Sequence, residues 1–187
     1  GLLEQATRER IRENRFEYAM RQVSEVLPGI SYDNDPATDS QIISDRALPG
    51  AAAGLPVYFA RTGTEINAAV FTVVATDGYV GPIRLLIGID RDGRILRVRV
   101  NEHRETPGLG DGIEIQRSDW ISQFDQRDTR QLPALKLKRD GGELDQLTGA
   151  TVTSRAVAAA VATTLQWHAE NGAALLAQAT APSGQSL

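Results

Sequence analysis

Residues 145 to 157, "DQLTGATVTSRAV", place four hydroxyl side chains, Thr148, Thr151, Thr153 and Ser154, within seven positions and directly ahead of an alanine-rich run with helical character. A helix start exposes N–H groups without intrahelical partners and carries about half a positive charge, so it favours an anion. Gly149 and Ala150 leave little side-chain bulk in front of it, so a phosphate could approach the backbone closely, with Arg155 one turn later as a possible source of charge. The competing reading is that Thr148 or Thr151 caps the helix through its hydroxyl, worth about 1 kcal/mol. Four residues do not by themselves choose between an attachment point and a cap.

A second stretch, "HRETPGLGDG" at 103 to 112, has the same ambiguity. Pro107 holds Thr106 extended, while Gly108 and Gly110 permit tight backbone paths around Leu109. Such a loop can press backbone and one apolar side chain against a flat ring, or it can be a wide turn. His103 and Glu105 alternate along the approach to it. Trp120 and Phe124 read as core rather than as ligand contacts.

The elements that must position these stretches follow from periodicity. Leu3, Ile11, Phe16, Met20, Val23 and Leu27 recur at helical spacing, with Pro28-Gly29 as the stop. "SYDNDPATDS" and "ALPGAAAGLP" read as turn and loop. "VYFAR", "INAAVFTVVAT", "YVGPIRLLIGID" and "RILRVRV" read as about four strands, separated at Asp77-Gly78 and, between the last two, at Arg91-Asp92-Gly93. A short helix is expected after Ser118, one more strand at "ALKLK", and a final helix from Val152 to Asn171 ended by Gly172. The fold class implied is α+β, a bent antiparallel or mixed sheet with helices on one side. The corresponding division is an amphipathic helix at 1–27, a core domain at 28–172 and a frayed tail at 173–187.

Composition narrows the chemistry. The chain has 187 residues, 41% hydrophobic and 24% charged, as ordinary globular domains do. With a net charge of −4 and no dense Lys/Arg run, nucleic acid is not an expected partner. The absence of cysteine excludes disulfides, thiolate metal sites and a cysteinyl nucleophile. Two histidines far apart, His103 and His168, give little support to a metal site. No run approaches the roughly 20 apolar residues needed to span a bilayer.

Taken together, "DGYVGPIRLLIGIDRDGRILRVRVNEHRETPGLGDGIE", "SDWISQF" and "RDGGELDQLTGATVTSRAV" resemble the periplasmic FMN-binding domain of the G subunit of the Rnf electron-transport complex. The C subunit of sodium-translocating NADH:quinone reductase is similar to it at greater distance. The resemblance covers nearly the whole chain, including "YDND". It implies FMN attached through a phosphodiester to Thr151 by a flavin transferase acting on FAD, with Asp145, Thr148, Gly149 and Ala150 as the recognition motif. It implies isoalloxazine contacts from the 103–110 loop, with Glu105, Thr106, Gly108 and Leu109 as cofactor-binding residues, and Thr153 shaping the same pocket. Ser154 stands where such relatives often have proline, and Leu144 where an aromatic is common.

The function implied is an electron-carrying subunit, with no freestanding catalytic site, in a membrane-bound ion-translocating complex that couples NADH and ferredoxin redox chemistry. Its partners would be the other Rnf subunits and, during maturation, the transferase. It would sit on the periplasmic side of the bacterial inner membrane, held by a transmembrane helix expected ahead of residue 1. The alternatives are a non-catalytic periplasmic FMN-binding sensor or scaffold module, and the C subunit of the quinone reductase.

Overall fold

The computed structural model describes residues 1–180, the side chain of Phe16 excepted. Two long helices and a five-stranded antiparallel meander build the fold. The strands are β1 (Ser40–Ile43), β2 (Leu55–Thr62), β3 (Glu65–Ala75), β4 (Ile83–Asp90) and β5 (Ile95–Glu102), paired in chain order. The helices are α1 (Leu2–Glu25) and α2 (Thr151–Thr180). The class is α+β, as the sequence implies.

The sheet is covered on both faces, which corrects the expectation of helices on one side. On one face the buried side chains of Phe59, Phe71, Leu85, Ile87 and Ile89 meet Val157, Val161 and Leu165 of α2 in the main core. Each such apolar side chain contributes about 1.5–3 kcal/mol by leaving water. The alanines of α2 serve closeness, since Ala156 and Ala160 are buried against the sheet and α2 lies over β3. On the other face Val23, Val26 and Leu27, at the end of α1, pack on Ala60, Ala68, Val70, Leu86 and Leu96. Gly88 is the contact point, because a Cβ there would stand 1.9 Å from the carbonyl oxygen of Val26. Only the last turns of α1 are buried, while Leu2, Leu3 and Ile11 remain exposed.

Three further expectations change. β1 is a strand where none is expected, starting at the end of the stretch read as turn and lying ahead of the one read as loop, and it makes the sheet five-stranded. "ALKLK" forms no strand: Leu135 and Leu137 are buried, but the only ladder contact there among the described residues is a single parallel bridge from Leu137 to Leu144. Helix α2 runs through Gly172 to Thr180, so residues 173–180 are helical rather than tail; the rest of the expected tail, 181–187, lies outside the described residues. Gly172 is tolerated in mid-helix because a Cβ there would meet the His168 ring at 3.0 Å. No helix among the described residues is long and apolar enough to cross a membrane.

Candidate functional site

Two loops and one helix start converge on a cavity of about 350 Å³. It is lined by Thr106, Leu109 and Gly110 from one side, by Gly149, Ala150, Thr151, Val152 and Thr153 from the other, and by Tyr79 at its rim. The first loop leaves β5. Thr106-Pro107-Gly108-Leu109 forms a turn closed by Leu109 N–H donating to Thr106 C=O at 3.1 Å, with proline second and Gly108 third at φ 76°. That conformation favours glycine, so Gly108 shapes the loop from an exposed position outside the cavity lining, while Leu109 turns over it.

The second loop meets the first side chain to side chain. Gly149, at φ 76°, lies beneath Leu109, and Gly112 lies under Leu147 closely enough that a Cβ there would be 2.8 Å from it. Ser154, fully buried, ties the loop to the helix: its hydroxyl accepts from Leu147 N–H at 3.0 Å and donates to Ala150 C=O at 2.8 Å. Among the described residues neither the Thr148 nor the Thr151 hydroxyl accepts from a helix N–H, so the cap reading of either threonine is set aside. The Thr151 hydroxyl instead donates to Gln146 Oε1 at 3.1 Å and receives Arg139 Nη1 at 3.4 Å. Arg155 is turned away from it, held by Asp140 at 2.7 and 2.9 Å.

Behind the cavity lies a carboxylate with almost no solvent of its own. Glu105 is 3% exposed and accepts N–H donors from Tyr79 at 3.1 Å and Val80 at 3.0 Å, and the hydroxyl of Thr153. Burial pushes its carboxyl up, but the bonds from Thr153, Val80, Tyr79 and Gly81 together outweigh it and hold the group below its ordinary value. Glu105 thus fixes the β3–β4 turn, α2 and its own loop to one another. His103 supports it from the other side: Nδ1 accepts from Glu105 N–H at 2.9 Å, which leaves the ring proton on Nε2, 2.6 Å from Glu114.

The residues singled out in the sequence therefore fall into three groups. Thr106, Leu109, Gly149, Ala150, Thr151 and Thr153 share the cavity, and Glu105 lies directly beneath Gly110. Asp145 and Thr148 are exposed and outside it. The Asp145 carboxylate pairs with Lys138 at 2.7 Å, and its backbone is locked to the Trp120 segment by Trp120 Nε1 donating to its carbonyl and its own N–H donating to Gln123 Oε1. Trp120 and Phe124 are core, with rings 5.6 Å apart edge to face. Sequence reasoning missed Tyr79, Gln146 and Arg139. The turn at Asp77-Gly78 was visible, but not that Gly78 would fold it against Glu105.

This arrangement can hold a phosphate ester at Thr151 and a flat apolar ring beneath Tyr79, Leu109 and Val152, all three exposed apolar side chains at the cavity. Residues 78–166 match the FMN-binding domain family. The fold is similar to that of Shewanella oneidensis NqrC, with a TM-score of 0.52 at 22% identity over 77% of this chain and 70% of that one. The G subunit of the ion-translocating oxidoreductase complex of Shewanella amazonensis is 37% identical over 92% of this chain and 81% of its own length. Its counterpart in Pseudomonas aeruginosa is 44% identical over 95% of this chain and 84% of its own. On these matches across nearly its whole length, the chain belongs to the family of G subunits of ion-translocating oxidoreductase complexes.

Proposed function

We propose that this chain carries FMN bound covalently to Thr151 and passes electrons as one subunit of an ion-translocating oxidoreductase complex. The observation that carries the reading is the meeting of the 105–110 loop and the 149–153 segment in one cavity lined by Thr151, whose hydroxyl caps no helix N–H among the described residues. The residues fit the group. Thr151 stands at the first turn of a 30-residue helix, where the unpaired N–H groups and the dipole favour the one negative charge a phosphodiester keeps. Gly149 and Ala150 keep the approach clear, and Thr106 and Leu109 offer a polar and an apolar contact for the ring. Gly108 gives the loop its turn, and Glu105 with Thr153 braces the floor.

FMN supplies reversible uptake and release of electrons; the protein supplies its position and surroundings. A tether at Thr151 suits a carrier that works outside the cytoplasm, where a lost flavin is hard to replace. We infer that a flavin transferase makes the bond, forming Thr151 Oγ1–P as the pyrophosphate of FAD breaks and AMP leaves with the hydroxyl proton. The exposure of Asp145 and Thr148 keeps that motif open to the transferase. The same reading puts the domain on the periplasmic side of the bacterial inner membrane, beside the other subunits of the complex.

Tandem mass spectrometry of the tryptic peptide at 140–155, from protein made together with the transferase, tests this. A gain of one FMN less one water on Thr151 is expected. An unmodified peptide would favour a module without an electron-carrying role.

A further inference from the structure

Among the basic residues around Thr151, Arg139 is set apart by what it lacks. Lys138 is paired with Asp145 and Arg155 with Asp140, each at 2.7 Å, whereas Arg139 has no carboxylate partner among the described residues. Its Nη1 instead lies 3.4 Å from both Thr151 Oγ1 and Gln146 Oε1. Contacts of that length with neutral oxygens are weak, and most of the five guanidinium donors are left unused. A planar fork of donors suits a phosphate group, which can take two of them at once. Gln146 stands beside the same hydroxyl, its Oε1 accepting a hydrogen bond from it at 3.1 Å.

We propose that Arg139 and Gln146 form the phosphate clamp of the flavin attachment site, an inference that rests on the reading of Thr151 as the FMN-bearing residue. Before attachment, Gln146 takes the hydroxyl hydrogen bond and so leaves an Oγ1 lone pair free for phosphorus. Gln146 is no base, so the proton departs with AMP as Oγ1–P forms and the pyrophosphate P–O bond of FAD breaks. After attachment the ester oxygen has no proton to donate. A half-turn of the Gln146 amide then presents N–H to a phosphoryl oxygen, while Arg139 neutralises the remaining negative charge. Arg139 thus does here what the sequence suggested for Arg155.

The test uses the full chain with a flavin transferase and FAD, following the modified fraction by intact mass for wild type, Arg139→Gln and Arg139→Lys. Arg139→Gln is expected to slow modification about five-fold, as an exposed charge contact should. Arg139→Lys should recover most of the rate, and the phosphodiester ³¹P resonance should be displaced in the Arg139→Gln product. A wild-type rate in Arg139→Gln, or an unchanged ³¹P resonance, would overturn the clamp while leaving Thr151 as the site. No modification of wild type would overturn the reading of Thr151 itself.

Discussion

The Leu109 side chain lies over Gly149 so closely that a Cβ on the glycine would stand 3.0 Å from Leu109 Cδ2. This contact joins two loops that lie some forty residues apart in the sequence, and it sets the distance between the 106–110 loop and Thr151. Gly149→Ala adds a side chain at φ 76° as well as at that contact. The substitution should cost about 1–2 kcal/mol in urea unfolding, and it should lower the modified fraction by pushing Leu109 away from Thr151. Leu109→Ala in the same background is expected to relieve part of the modification defect but not the backbone strain.

Thr151 and Thr153 are two residues apart on α2 and should separate in their effects. Among the described residues the Thr151 hydroxyl bonds only to side chains at the surface, so Thr151→Val should change stability by no more than about 0.5 kcal/mol, while abolishing flavin attachment. Thr153 is 1% exposed and its hydroxyl bonds the buried Glu105. Thr153→Val takes a donor from a buried carboxylate and should cost about 1–3 kcal/mol. Urea midpoints and intact masses on the two variants check both halves of this.

Glu105 makes stability depend on acid pH. Its folded-state value is lowered, so the stabilisation is fully present above the ordinary value of 4.5 and is lost as pH falls through the lowered folded value. Glu105→Gln should remove that part of the acid dependence between pH 5 and the onset of acid unfolding. At neutral pH it should also destabilise, by about 1–3 kcal/mol, because the amide NH₂ would face N–H groups that now have a carboxylate oxygen. A Glu105→Gln curve parallel to wild type from neutral to acid pH would contradict this account.

How much of this was legible in the sequence varied with how local the determinant is. The four long strands, the turns at Asp77-Gly78 and Arg91-Asp92-Gly93 and the stop at Pro28-Gly29 follow from alternation and turn chemistry, and all appear where those patterns lie. β1 is only four residues and its burial alternates weakly, so nothing in "SQII" distinguishes an edge strand from loop until β2 pairs with it. "ALKLK" alternates as a strand does, yet its buried leucines join the main core and, among the described residues, pair along the chain only through the single bridge from Leu137 to Leu144. Gly172 looked like a helix end because the ring that needs its missing side chain sits one turn earlier, on the same helix. At the site, the motif residues were legible as a set, but the choice of Arg139 over Arg155 was not, because Asp140 captures Arg155 across 15 positions of chain.

That ring, His168, gives the last prediction. It is 7% exposed, its edge meets the Phe71 ring at 5.9 Å between centroids, and Gly93 and Gly172 make room on two sides. Burial pushes its pKa below the ordinary 6.5, opposed by the nearby Asp90 carboxylate, so the folded protein binds a proton there less readily than the unfolded chain does. Above pH 6.5 neither state is protonated and His168 exacts no penalty. As pH falls from there towards the lowered folded value, the unfolded chain binds a proton that the folded one refuses, and stability declines. His168→Leu has nearly the same volume and does not titrate, so it should change stability at pH 8 by less than about 1.5 kcal/mol. Its loss of stability between pH 8 and pH 5 should be smaller than that of wild type. Equal losses in the two proteins, measured by urea unfolding at both pH values, would show that the burial of His168 does not govern this dependence.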